Sequence, residues 1–176
     1  MTECCDNGDV HYLSTFCPTE IILFLNGILP DDVKKHVNKN IFNFPIYSNG
    51  EITFCDSVQL NDGAIISGTV YSAMWNNLTV CNNSTLVVEE DFVCSERGTV
   101  TVQPGSTIQV CGNFITKDGN WFSRDVRING HLHVEGDFTV ITNTQIFMTQ
   151  ETSRLTVNGN IAWGDGAQGH GPCRAL

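Results

Sequence analysis

The sequence predicts an all-β protein: a right-handed parallel β-helix, or solenoid, of about four to six coils with an N-terminal cap containing a short helix. Three observations predict it. One heptapeptide phrase recurs at intervals of about 22–24 residues. Within each copy apolar and polar positions alternate with the period of a strand. Sixteen glycines and only 16% charged residues describe a chain rich in turns rather than helices.

The phrase is Leu86-Val87-Val88-Glu89-Glu90-Asp91-Phe92, and it returns at Ile108–Phe114, Leu132–Phe138 and Leu155–Ile161. Leu86, Ile108, Leu132 and Leu155 thus open the copies at nearly even steps, and a weaker copy, Ala64–Val70, lies one such step earlier. Read vertically, the copies form columns. Ile66, Val88, Val110, Val134 and Val157 make one, and Val70, Phe92, Phe114, Phe138 and Ile161 another. Between them run Asp91, Asn113, Asp137 and Asn160, following a position that is Gly in all but one copy. A stacked coil demands such columns, because alternate strand residues face inward and like residues lie above like at about 4.8 Å per coil. Gly followed by Asn or Asp is expected at the corner, where the backbone leaves the ordinary strand region.

A second strand precedes each phrase: Leu78-Thr79-Val80, Val100-Thr101-Val102, Val126-Arg127-Ile128 and Ile146-Phe147-Met148. A third, shorter one follows the Phe column, as in Phe92-Val93-Cys94 and Phe114-Ile115-Thr116. Three strands per coil fit the right-handed parallel type, and that hand follows the general crossover rule.

The solenoid is expected over residues 49–163, with a capping segment at 1–48 and a Gly-rich tail at 164–176. Its start is ambiguous. Asn49-Gly50-Glu51-Ile52-Thr53-Phe54 resembles Asn129-Gly130-His131-Leu132-His133-Val134, yet Phe54 precedes Ile66 by only half a coil. Ile52–Phe54 is therefore either the first strand of a coil or part of an irregular start. In the cap, Pro30-Asp31-Asp32-Val33-Lys34-Lys35-His36-Val37 reads as a short helix with Pro and Asp in its first turn. The tail is too rich in Gly to pack by itself, so it reads as flexible or as an arm that orders on a neighbour.

Nine basic against nineteen acidic residues give a net charge of −10. That surface repels phosphate backbones and anionic lipid, which excludes nucleic acid and membrane insertion as expected partners. The longest apolar run, Ile21–Leu25, is too short to span a bilayer. Met1–Val10 is acidic with no basic n-region, so no signal peptide is expected and synthesis is expected in the cytoplasm. The eight cysteines contain no C-x-x-C pair. Their even, fairly high count hints at disulfides if the chain is secreted, whereas the missing signal argues for a reducing compartment. Buried thiols acting as small apolar fillers are favoured over zinc ligands.

Acid/base chemistry needs carboxylates converging on one face. The best cluster is Glu89 and Asp91 with Glu135 and Asp137, but Cys111 and Asn113 interrupt the stack and leave the pairs about 10 Å apart. His131 and His133 are an outward i, i+2 pair with no third ligand evident. No phosphate loop or nucleophile elbow is present. No catalytic residue, cofactor or metal site is therefore expected. The insertion Lys117–Asp125 carries Trp121 and Phe122 beside Arg124, a candidate contact patch.

The segment Gly98-Thr99-Val100-Thr101-Val102-Gln103-Pro104-Gly105-Ser106-Thr107-Ile108-Gln109-Val110-Cys111-Gly112-Asn113-Phe114 resembles repeats of right-handed β-helical surface proteins such as adhesins, autotransporter passengers and cell-wall proteins. The likeness spans residues 64–163 and is one of architecture. Viral coat and fibre proteins also use short β-helices and assemble inside the cell without a signal. The short rigid solenoid, the lack of a convergent site, the missing signal and the unpacked ends predict a non-enzymatic structural protein packing with protein partners into a larger oligomeric assembly, a virion component or surface layer. A glycan- or surface-binding adhesion module is the alternative, and a polysaccharide-active β-helix enzyme comes third.

Overall fold

The computed structural model describes residues 37–38, 41–43, 45–48, 50–54, 57–72, 77–94, 98–117, 124–141 and 143–171. These form a parallel β-solenoid with three sheets as its walls, one of eight strands and two of six. The first sheet stacks Ile41–Phe42, Val58–Leu60, Asn77–Val80, Thr99–Val102, Arg124–Ile128, Thr144–Phe147 and Gln168–His170, with Val37–Asn38 added at its N-terminal edge. The second stacks Ile46–Ser48, Ala64–Ile66, Thr85–Val88, Thr107–Val110, His131–Val134 and Arg154–Val157. The third stacks Ile52–Phe54, Val70–Ser72, Phe92–Cys94, Phe114–Thr116, Phe138–Val140 and Ile161–Trp163. Among the described residues every strand pair is parallel except Val37–Asn38 against Ile41–Phe42.

The register reproduces the repeat columns. Val110 pairs with Val88 below and Val134 above, and Val134 with Val157. Phe114 pairs with Phe92 and Phe138. Their rings stack at 5.1 Å for each neighbouring pair, with interplanar angles of 11° and 23°. These strands form because Val, Ile and Phe occupy the inward positions, while Thr79, Thr101 and Gln109 occupy outward ones. Fully buried side chains run from Phe42 through Ile66, Leu86 and Phe114 to Phe138, one continuous core along the axis.

The ladder passes both expected limits. Phe42 registers with Leu60, Ser48 with Ile66 and Ile52 with Val70. The first coil is therefore shorter than the next, in which Ile66 registers with Val88 and Val70 with Phe92. Ile52–Phe54 is the third strand of that first coil, under Val70–Ser72, and Ile52 is the base of the Phe column. Its likeness to Leu132–Val134 reflects strand alternation alone, which fixes a face and not a sheet. At the other limit Gln168–His170 is a strand in register with Gln145–Phe147, where the sequence suggested a flexible tail or a neighbour-bound arm. Parallel pairing uses backbone groups, so Gly169 pairs despite having no side chain to pack. The helix expected at 30–37 lies outside the described residues except for Val37, which is in a strand. No helix of the described residues is long and apolar enough to cross a membrane.

The two repeated corners differ. Between the first and second sheets, Asn82 and Asn83 turn the chain with φ of 58° and 59°, and one coil later Gly105 takes φ 79°. A Cβ on Gly105 would stand 2.0 Å from Asn83 Oδ1, so glycine is required there by both conformation and space. The Gly-Asn/Asp corner after the second sheet is not left-handed: neither Gly112, Gly136 and Gly159 nor the residues that follow them have positive φ. Glycine is needed because a Cβ would lie 2.5 Å from Asp91 Oδ1 at Gly112, from Asn113 Oδ1 at Gly136 and from Gly136 O at Gly159. The expected reason for this corner, backbone tolerance, is thus replaced by close approach to the coil below.

Phe114→Ala empties the middle of the column and is expected to cost about 3–5 kcal/mol of unfolding free energy. Thr101→Ala, on the outward face, is expected to stay within about 0.5 kcal/mol. Urea denaturation of both variants measures the difference.

Candidate functional site

The acidic candidates form a structural ladder up the second corner. Asp91 Oδ1 accepts hydrogen bonds from the backbone N–H of Asn113 at 2.7 Å and from its Nδ2 at 3.1 Å. Asn113 Oδ1 accepts the N–H of Asp137 at 2.8 Å. Asp137 Oδ1 then takes the N–H and Nδ2 of Asn160 at 2.7 and 3.1 Å. Backbone bonds run the other way, from Phe92 N to Asn113 O, Phe114 N to Asp137 O and Phe138 N to Asn160 O, at 2.8–2.9 Å. Each corner residue is thereby tied to the neighbouring coil by backbone as well as side chain. The Asp-Asn-Asp-Asn order keeps a neutral amide between carboxylates that would otherwise stack at about 4.8 Å.

The remaining carboxylates do not converge. Glu135 Oε2 accepts from Asn158 Nδ2, and its Oε1 lies 2.9 Å from His133 Nε2. Glu89 is two coils below, with Cys111 in the intervening rung, and its Oε1 is buried without a hydrogen-bond partner. His131 and His133 are half-buried, their rings 5.7 Å apart, and His131 Nε2 is 3.0 Å from Thr156 Oγ1. Burial, then the neighbouring His133 and Arg154, hold the His131 pKa below the ordinary imidazole value. No group of three metal-ligating side chains occurs among the described residues.

Of the aromatic insertion, Trp121 and Phe122 lie outside the described residues. Arg124 opens a strand and registers with Thr144. The cysteines divide. Cys94 is a buried thiol outside any disulfide, as a filler should be. Cys81 is free and half-buried, its Sγ 2.7 Å from Asn61 Oδ1, and burial pushes its thiol pKa up. Cys111 is disulfide-bonded, which corrects the filler expectation at that position.

Three surface features escaped the repeat alignment. The outward column Tyr47, Ile65 and Val87 floors a groove of about 350 Å³ on the second sheet, rimmed by Asn61, Asp62 and Asn82. On the first sheet Arg127 lies over the Phe147 ring at 5.3 Å, and Phe147 stacks on His170 at 4.8 Å. The outward positions of each strand could have been read as columns too, but their mixed chemistry hides the repeat.

The third feature is the C-terminal end. In the last rung Ile161 and Trp163 continue inward columns whose previous members, Phe138 and Val140, are 0% and 1% exposed. Ile161 and Trp163 are both 50% exposed. Among the described residues, Arg154–Val157, Ile161–Trp163 and Gln168–His170 are the outermost strands of the three sheets, each with one free edge. The opposite end differs sharply, with Phe42, Ile46, Ile52 and Phe54 all at 0–1% exposure. Trp163 was missed because its column, Cys94, Thr116, Val140, Trp163, has no repeated residue type.

Comparison with known proteins finds no matching family model, no matching curated protein and no matching solved structure. The architecture and these surfaces are therefore the basis for function.

Two outcomes test the corner and the histidines. Asn113→Asp sets three carboxylates in consecutive rungs and is expected to cost about 1–3 kcal/mol at neutral pH. Repulsion raises the new carboxyl's pKa in the folded state, so the loss shrinks as pH falls through that raised value and is gone below the unfolded value of about 4. Melting across pH measures it. For His131 the folded pKa is depressed, so its neutral form favours folding above the unfolded value of about 6.5, and that contribution is lost as pH falls. Arg154→Gln removes one cause, and an NMR titration is expected to show His131 moving up towards the ordinary value.

Proposed function

We propose that the chain is a non-enzymatic structural protein that packs into a larger assembly through the C-terminal end of its solenoid. The observation that carries this reading is the half-exposure of Ile161 and Trp163 in columns that are otherwise buried. An open strand edge joined to exposed core residues is costly in water and adhesive towards matching surfaces. The corner chemistry agrees, since Asp91 and Asp137 spend their carboxylates on inter-coil bonds. A coat component or surface layer is the kind of assembly that a short rigid stack suits.

A second reading, a glycan- or surface-binding module, is favoured by the groove over Tyr47, Ile65 and Val87. Its apolar floor and its rim of amides and one carboxylate match the apolar face and the hydroxyls of a sugar ring. A glycan array comparing the full chain with Tyr47→Ala checks it, and loss of signal in the variant is the expected outcome of that reading.

Light scattering after size exclusion tests the first reading directly. The full chain is expected to elute as a multiple of the single-chain mass at micromolar concentration. A monomer persisting at the highest soluble concentration would contradict it.

A further inference from the structure

We propose that the groove on the second sheet takes a neutral two-ring segment of a β-1,4-linked glycan, lying along the solenoid axis, and that Asp62 turns acidic sugars away from it. This rests on the glycan reading above and names its ligand class and the residue that selects it.

The floor sets the length of the ligand. Tyr47 pairs with Ile65 and Ile65 with Val87, so three half-buried outward side chains stand in line on consecutive coils. Two steps of about 4.8 Å make a strip of about 10 Å. The next member of the column is Gln109, and there the apolar strip stops. A pyranose ring is about as long as one step of about 4.8 Å, so two linked rings cover the strip and a third reaches past it. The groove volume of about 350 Å³ agrees, being at the small end of the range of roughly 300–1,000 Å³ for ligand sites.

The lining, all of it within the described residues, excludes other ligand classes. A peptide strand needs an open sheet edge, and the strand that carries Ile65 is paired on both sides. A wholly apolar ligand would strip water from the Asp62 carboxylate and the Asn82 amide and return no hydrogen bond. An anion meets Asp62 and no basic side chain in the lining. The surrounding chain adds to that field: residues 40–110 hold seven acidic side chains against Arg97 alone. A small hydrated cation would use Asp62 but leave the apolar floor uncovered.

A neutral sugar meets every one of these surfaces. Its C–H face covers the Tyr47 ring and the Ile65 and Val87 side chains, while hydroxyls at its edge reach the rim. Asn61 is committed elsewhere, its Oδ1 accepting from Gln59 and Cys81 and its Nδ2 donating to Asn43. Asp62 and Asn82 are exposed and carry no hydrogen bond or ion pair, so a carboxylate acceptor and an amide stand ready for hydroxyls. The straight strip suits β-1,4-linked glucosyl rings, whose equatorial substituents leave both ring faces apolar.

An NMR titration of the full chain tests the proposal, with glucose, cellobiose, cellotriose and cellobiouronic acid as probes. The last differs from cellobiose by a carboxylate in place of one hydroxymethyl group. Amide signals of Tyr47, Ile65 and Val87 are expected to move. Cellobiose is expected to bind about 10-fold tighter than glucose, with cellotriose within about 2-fold of cellobiose. At low salt the acid is expected to bind about 10-fold more weakly than cellobiose, and Asp62→Asn to bring the two within about 2-fold. Equal binding of acid and neutral disaccharides by the wild type overturns the selection and leaves the glycan reading standing. No gain from glucose to cellobiose, or a further large gain with cellotriose, overturns the two-ring fit. Movement confined to other parts of the chain overturns the proposal and the groove reading together. No movement with any probe overturns the proposal, and the glycan array then decides the wider reading. Should Asp62→Asn fail to fold, added salt decides: screening is expected to narrow the gap between the two disaccharides, and a gap that persists overturns the role of Asp62.

Discussion

The structure depends on in-register stacking of one coil on the next. Each inward side chain rests on its equivalent about 4.8 Å away, so the choice at one position is constrained by its neighbours above and below. Phe92, Phe114 and Phe138 show the consequence: three large rings fit only because they adopt nearly the same orientation, with angles of 11° and 23° between neighbours. The corner obeys the same constraint with polar groups. Side-chain oxygens of Asp91, Asn113 and Asp137 each serve a backbone N–H in the next coil, and the glycine beside each leaves room for them. Apolar columns hold the walls together; the polar ladder holds the corner at the same pitch.

Stacking also explains why the corner carboxylates stand apart and where outward surfaces arise. A column of identical carboxylates would accumulate charge along the axis, and the alternation of Asp with Asn avoids it. The same alternation separates the acids that a hydrolytic site would have to bring together. What varies freely lies outward, as in Tyr47–Ile65–Val87 and Arg127–Phe147–His170, or terminates the stack. At the last described rung an inward residue has a described neighbour on one side only. Ile161 and Trp163 occupy that position, so the rule that buries the earlier members of their columns leaves these two exposed.

Much of this was legible in the sequence because the period is long and the columns repeat in kind. The Val and Phe columns could be read off the chain and recur in the register without a shift. The first coil was harder for a definable reason. Alternation in Ile52-Thr53-Phe54 states which residues face inward, but three sheets share that pattern, and the shorter first coil breaks the regular spacing that identifies the sheet. Gly169 was hidden because parallel pairing asks nothing of the side chain. At the corner glycines the sequence shows only that a residue is small, whereas the neighbouring coil shows that Asp91 or Asn113 fills the space. Trp163 gave no periodic signal at all, since the column beneath it passes through Cys94, Thr116 and Val140.

Register is thus the claim on which the walls, the corner and the open end all stand. It is tested most directly by nuclear Overhauser contacts among selectively labelled phenylalanine rings. The account predicts contacts from Phe114 to both Phe92 and Phe138, whose ring centroids are 5.1 Å away, and none between Phe92 and Phe138. A direct contact between Phe92 and Phe138, or silence between Phe114 and either neighbour, would contradict it.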